Sequence, residues 1–134
     1  MNKLTKYGPL VLRIGLASVF LWFSINQFMS TDMWIRIVPA WATSLFGSAV
    51  TVVHLNAWFE LVVSLMLLVG LQTRWIALIL TLHLGQIAFG FGLSATGVRD
   101  WGLCIAALSI FFSGADVLSL DHIWQHKNQS ISTS

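Results

Sequence analysis

The chain has 134 residues, of which 57% are hydrophobic and 9% are charged, and its formal net charge is +2. This composition lies outside the range of soluble globular proteins and predicts a single domain surrounded by lipid, without the basic cluster that nucleic acid would need as a partner. The single cysteine, Cys104, excludes an intramolecular disulfide and a cysteine-based metal site.

Four stretches are apolar and long enough to cross a bilayer, which takes about 20 residues of helix. In chain order they cover residues 8–29, 50–70, 75–92 and 98–118. The sequence therefore predicts an all-α fold, a four-helix transmembrane bundle within a domain of residues 1–121. Short connections make the last three helices sequential antiparallel neighbours. Residues 122–134 are predicted to form a polar, frayed C-terminal tail with no core-forming pattern.

The segment between the first two runs carries apolar residues at helical spacing, namely Trp34, Val38, Trp41 and Leu45. Pro39 interrupts this pattern. We expect a bent amphipathic segment in the outer membrane interface, with its tryptophans at headgroup depth. A plain loop with chance aromatic residues is the alternative interpretation.

The distribution of Lys and Arg predicts the orientation of the bundle. With both termini in the cytoplasm, the inside has Lys3, Lys6, Arg13, Arg74 and Lys127, and the outside has only Arg36 and Arg99. Because cytoplasmic loops carry the excess of basic residues, the pattern favours a topology with both termini inside.

Glu60 is the first candidate for a functional residue, because a charge at the bilayer centre costs about 2.5–3.5 kcal/mol even on insertion scales. It lies halfway along the second run, and His83 lies at nearly the same depth on the third. Gln86 follows three residues later and shares the face of His83. We expect these three to form a cluster that holds or passes a proton, or binds the head of a lipid-soluble ligand such as a quinone. Interhelical hydrogen bonding without a ligand is the alternative.

A second polar layer is predicted nearer the outer face, formed by Asn26, Gln27, His54, Arg99 and Asp100. At this shallow depth water can reach the layer. It is either a solvated helix boundary or a gate for an anion or another ligand.

Arg13 lies on the stripe of the first helix that should face the bundle, because the guanidinium would otherwise meet lipid. The sequence predicts a structural role for Arg13, whose side chain either reaches the inner headgroups or pairs with Asp116.

The depths of His54 and His83 differ by roughly 12 Å in a core of about 30 Å, which argues against a haem bound by both histidines. No two histidines share a helix face within a span, so no metal site is expected.

Several short segments match one family in order and spacing. They are residues 12–16, 20–23, 68–74, 99–103 and 119–121, together with Trp34, Pro39, Glu60 and Gly114. The chain resembles the DoxX-like family of small four-helix membrane proteins, and the similarity runs through the end of the fourth helix. Many members have a glycine and a lysine at the end of the first helix, where this chain has Ser24 and Gln27. A lysine-dependent ligand contact is therefore not expected.

The resemblance implies several functions, because some members resemble membrane subunits of a thiosulfate:quinone oxidoreductase and others are tied to oxidative-stress complexes. We expect a prokaryotic inner-membrane protein, an accessory or quinone-facing subunit of a redox process, with partner subunits or a second copy of itself. A non-enzymatic module that stabilises or escorts a partner is one alternative, as in distant eukaryotic relatives. A proton-coupled carrier using Glu60 is another, and it would need at least a dimer. No catalytic residue is assigned.

Overall fold

The computed structural model describes residues 4–132, apart from the side chains of residues 126 and 129–132. Its helices are α1 (Gly8–Met29), α2 (Thr31–Trp34), α3 (Ala40–Phe46), α4 (Ala49–Val69), α5 (Thr73–Phe91), α6 (Ala95–Ser113) and α7 (Leu120–Ser132), with single 3-10 turns at Thr5–Tyr7 and Ile35–Ile37. Over the described range there is no strand. Four helices, α1, α4, α5 and α6, are long and apolar enough to cross a membrane, which confirms the predicted fold class.

α1 has the same bounds as the first predicted span, whereas α6 starts and ends earlier in the chain than the fourth. α6 covers Ala95–Ser113, whereas the sequence analysis placed this span at residues 98–118. The helix starts earlier because the Ser94 hydroxyl accepts a hydrogen bond from the Gly97 amide at 3.1 Å and so caps it. It ends at Gly114, whose φ of 75° lies in the left-handed region that favours glycine and stops a helix.

The spanning helices form two closely packed pairs, α1 with α4 and α5 with α6. Contacts between α4 and α5 are fewer, although only a short turn joins them. We call the end where α1 begins and α6 ends the terminus end, and the opposite end the loop end. The apolar core fills the terminus half and the middle of the bundle, with Leu16, Ala17, Phe20, Val63, Leu67, Ile76, Ala77, Leu80, Leu84, Cys104, Ala107 and Ile110.

A buried ion pair holds the terminus end together. Arg13 on α1 donates from Nε to Asp116, just after α6, and the two side chains are 2% and 1% exposed. The Nη1 group of Arg13 also donates to the carbonyls of Leu67 and Leu68, both at 2.6 Å. The guanidinium therefore joins α1, the end of α4 and the segment after α6.

The last described segment is a helix, where the sequence analysis expected a frayed polar tail. The Ser119 hydroxyl accepts from the His122 amide at 3.2 Å, which caps the start of α7. The Asp121 carboxylate accepts from the amides of Gln72 and Thr73 at 2.8 and 2.7 Å. α7 is therefore attached by its first turn to the start of α5.

The segment between α1 and α4 is a pair of short helices, as its helical spacing predicted. The chain bends at Val38 and Pro39, where the backbone is extended between the 3-10 turn and α3. The Trp34 indole donates to the Asn26 side chain at 2.9 Å, and Ala42 is the buried residue of α3. We call residues 30–48 the connecting segment; it packs over the loop end of the bundle on α4 and on the end of α1.

Candidate functional site

A cavity of about 270 Å³ lies in the loop half of the bundle, between the α1/α4 pair and the α5/α6 pair and beneath the connecting segment. Its apolar lining includes Phe20, Phe23, Trp34, Trp41, Val53, Leu84 and Phe91. Its polar lining consists of Gln27, Asn56, Glu60, Gln86, Thr96, Arg99 and Asp100. Members of both predicted polar layers therefore line a single space.

The floor of the cavity is a chain of three hydrogen-bonded side chains. Glu60 is 5% exposed, and its Oε2 accepts from Nε2 of Gln27 at 2.6 Å. Gln27 in turn accepts at Oε1 from Nδ2 of Asn56 at 2.8 Å. The two amides thus donate one after the other towards the carboxylate, which accepts the last hydrogen bond.

His83 approaches Glu60 from outside the cavity. Its Nε2 lies 3.6 Å from Oε1 of Glu60, and its ring packs against Phe59 with 4.6 Å between the ring centroids. This separation exceeds a hydrogen bond, and Nε2 has no hydrogen-bond partner among the described residues. A shift of a few tenths of an ångström would create the bond. The predicted pair is therefore adjacent, with Glu60 facing the cavity and His83 behind it.

Gln86 reaches the cavity wall and not the carboxylate of Glu60. It is exposed, and the structure gives it no hydrogen bond to any other residue that it describes. Its amide can therefore donate to a molecule in the cavity and accept from it.

Arg99 and Asp100 form a charged wall at the start of α6. Asp100 is 3% exposed and accepts at Oδ1 from Nε of Arg99 at 2.8 Å, and Nη2 of Arg99 lies 2.8 Å from the same oxygen as an ion pair. The guanidinium also lies over the ring of Phe23, 4.9 Å from its centroid, while about half of the Arg99 side chain is exposed. The wall thus offers guanidinium donors next to an aromatic face.

Two residues of the predicted outer layer lie outside the cavity. Asn26 is bonded to Trp34, and His54 is exposed with its Nε2 3.4 Å from the Thr31 hydroxyl. The His54 ring also packs beside Phe28, with 5.8 Å between centroids. The contacts of Asn26 with Trp34 and of His54 with Thr31 attach the connecting segment to the bundle.

Gln27 was grouped with the outer layer because it lies near the end of α1, yet it contacts Glu60. The reason is the direction in which helical side chains lean, which is towards the N-terminus of their own helix. α1 and α4 are antiparallel, so Gln27 leans into the bundle while Glu60 leans towards the loop end. Estimates of depth from helical rise alone do not include this convergence.

Thr96 and the aromatic walls were not predicted from the sequence to be parts of the site. Thr96 lies four residues before Asp100, so helical spacing places both on one face of α6. That spacing was the available signal. Phe20 and Phe23 gave no such signal, because phenylalanine at helical spacing is typical of ordinary core positions.

The arrangement suits binding of a polar head group. A buried acid, Glu60, lies beside the imidazole of His83, and the amides of Gln27 and Asn56 and the guanidinium of Arg99 line the same cavity. Among the side chains that the structure describes, no three His, Cys, Asp or Glu residues come together in a way that could hold a metal ion.

One family model, described as DoxX, matches residues 8–93 of the chain. The match covers α1 to α5 and therefore includes the connecting segment, Glu60, His83 and Gln86. It stops before α6, so Arg99 and Asp100 lie beyond it. No curated protein and no solved structure matches the chain.

Proposed function

The chain belongs to the DoxX family, and from its cavity we propose that it binds the head group of a lipid-soluble quinone as an accessory subunit of a membrane redox process. The observation that carries this proposal is the cavity with one buried acid, Glu60, at its floor and aromatic side chains on its walls. Apolar pockets with a few convergent polar groups are the usual form of small-molecule sites.

The chemistry of a quinone head fits this lining. A quinone presents a flat ring for stacking against Phe20, Phe23 or Trp34, and its two carbonyl oxygens accept from amide or guanidinium donors. The reduced form carries hydroxyl groups, which can donate to Glu60. The volume of about 270 Å³ is close to the lower limit for small-molecule pockets, so it suits one ring and not a long isoprenoid tail.

Quinone binding can be measured directly in lipid nanodiscs. Trp34 and Trp41 line the cavity, so titration with a quinone bearing a ten-carbon tail should quench tryptophan emission saturably. Glu60→Gln should weaken binding of the corresponding quinol, measured by its displacement of the quinone, about tenfold, which corresponds to about 1.4 kcal/mol, because the quinol hydroxyl loses its carboxylate acceptor. The matched control is Asp32→Asn, an exposed acid on α2 outside the cavity lining.

Two outcomes would contradict the proposal. One is quenching that rises linearly with quinone concentration in the wild-type protein, as for partition into lipid without a site. The other is equal quinol affinity for wild type and Glu60→Gln, which would mean that the buried acid is not part of the binding site.

We also propose that the protein lies in a prokaryotic cytoplasmic membrane with both termini in the cytoplasm, so that the cavity lies at the level of the outer leaflet. Basic residues at the terminus end support this orientation. In a Cys104→Ser background, Leu93→Cys lies in the exposed α5–α6 turn and should react with an impermeant maleimide on intact cells. Gln125→Cys on α7 should react only after lysis. The opposite labelling pattern would reverse the orientation.

A further inference from the structure

The connecting segment is attached along one side only. It packs on α4 and on the end of α1, where Trp34 is bonded to Asn26 and Ala42 is buried. Among the described residues it has no comparable packing on α5 or α6. The roof of the cavity is therefore fixed on the α1/α4 side and not on the α5/α6 side.

The edge of α5 that faces the connecting segment across the cavity is exposed and carries no bulky side chain at Gly90. Gln86 and Gly90 both line the cavity and both are exposed. A Cβ atom built at Gly90 would meet nothing within 4 Å, so the space beside this glycine is open. On the opposite side of the gap, Ile37 and Trp41 also line the cavity while being 48% and 60% exposed. These four residues border both the cavity and the surroundings of the protein.

The surroundings at this gap are lipid rather than water, as the neighbouring side chains indicate. Phe89, on the same stretch of α5, is 82% exposed, and Ile37 and Trp41 expose large apolar surfaces. Exposed apolar area of this size on a spanning helix is stable only against acyl chains or another protein surface.

We infer that the cavity opens sideways into the bilayer between the connecting segment and α5, with Gly90 at the threshold. The inference rests on the proposed function and specifies its ligand class: an amphiphile with a ring-sized polar head inside the cavity and an apolar tail that passes over Gly90 into the lipid. The absence of a side chain at Gly90 provides the space for that tail.

The test compares two quinones with the same ring, one carrying a ten-carbon tail and one carrying none. Gly90→Phe should raise the Kd of the tailed quinone at least tenfold and leave that of the tail-free quinone within about threefold. The fluorescence readout is preserved because no tryptophan is added. Gly90→Leu should have a smaller effect in the same direction.

The matched control is Gly102→Phe on α6, where a built Cβ also meets nothing within 4 Å and which does not line the cavity. It should leave both affinities unchanged. Folding is monitored by circular dichroism, and an exposed glycine in a helix tolerates substitution because other residues have higher helix propensity.

The outcomes separate the inference from the function on which it rests. Equal weakening of both quinones by Gly90→Phe would make Gly90 part of the head-group wall and overturn the entrance, as would no effect on either. Wild-type binding of only the tail-free quinone would also overturn it while the proposed function stands. Wild-type binding of neither quinone would refute the proposed function itself.

Discussion

Replacing Arg13 with methionine removes the guanidinium that joins three segments at the terminus end. The variant loses the ion pair with Asp116 and the bonds to the carbonyls of Leu67 and Leu68, and it leaves a carboxylate that is 1% exposed without its cation. Breaking a buried ion pair by removing one partner costs about 3–5 kcal/mol. We expect Arg13→Met to lower the free energy of unfolding by that amount.

A second substitution tests the cause of that loss. Asp116→Asn removes the charge but keeps Oδ1, which accepts from the Leu118 amide at 3.0 Å. The double variant Arg13→Met/Asp116→Asn should therefore be more stable than Arg13→Met alone, by about 1–3 kcal/mol. Such recovery would identify the unpaired charge of Asp116 as the main cause of the stability that Arg13→Met loses.

The assay is reversible unfolding in mixed detergent micelles, followed by circular dichroism. Arg36→Met serves as the control, because this arginine is exposed on the connecting segment. A loss below about 1 kcal/mol for Arg13→Met, the size typical of exposed pairs, would refute the reasoning, since it would mean that water solvates the pair.

The other predictions concern the cavity floor and the α4–α5 turn. Glu60→Leu should be about 1–3 kcal/mol less stable than Glu60→Gln in thermal unfolding, because leucine leaves the buried Gln27 amide without an acceptor. Asp121→Ala should cost about 0.5–2 kcal/mol and speed amide exchange at Thr73, because α5 loses its cap. Gly70→Ala should be destabilising in the same unfolding assay, because φ is 73° and the added Cβ would lie 2.5 Å from Cβ of Ser119.

Much of the fold could be predicted because the length of an apolar run is set directly by bilayer thickness. The predictions differ from the structure where single side chains determine at which residue a helix starts or ends. For α6 the sequence contained the signals for both ends, Ser94 as the cap and Gly114 as the stop, but a prediction from hydropathy does not use them. For α7 the polar composition suggested a tail, whereas Ser119 and Asp121 supply the contacts that start a helix.

Contacts within the site could be predicted where two residues lie at the same depth. They could not be predicted where the contact depends on the direction in which the side chains lean. Glu60 and His83 lie at nearly the same depth on two helices that run in opposite directions, so helical rise sufficed to predict that they are neighbours. The bond between Gln27 and Glu60 depends on how the two side chains lean. The cavity depends on how the helices pair, which a single sequence does not specify.

The pairing of helices explains why the loop half is hollow. Within the α1/α4 pair, Ser24 donates to the Ala57 carbonyl at 2.8 Å, so these backbones approach closely through small side chains. Ala77, Ala88 and Ala107 are likewise fully buried on α5 and α6.

Between the two pairs, by contrast, large rings and polar side chains line the loop half, and they cannot close it without desolvating the Glu60 carboxylate further. The terminus half closes because Leu67, Leu80 and Ile110 fill it, with the Arg13–Asp116 pair sealing its end. A bundle packed at one end and held apart at the other can keep a polar site open inside the membrane while its stability comes from elsewhere. Substitutions at Arg13 should therefore reduce stability far more than quinol affinity per folded molecule, whereas Glu60→Gln should reduce quinol affinity far more than stability.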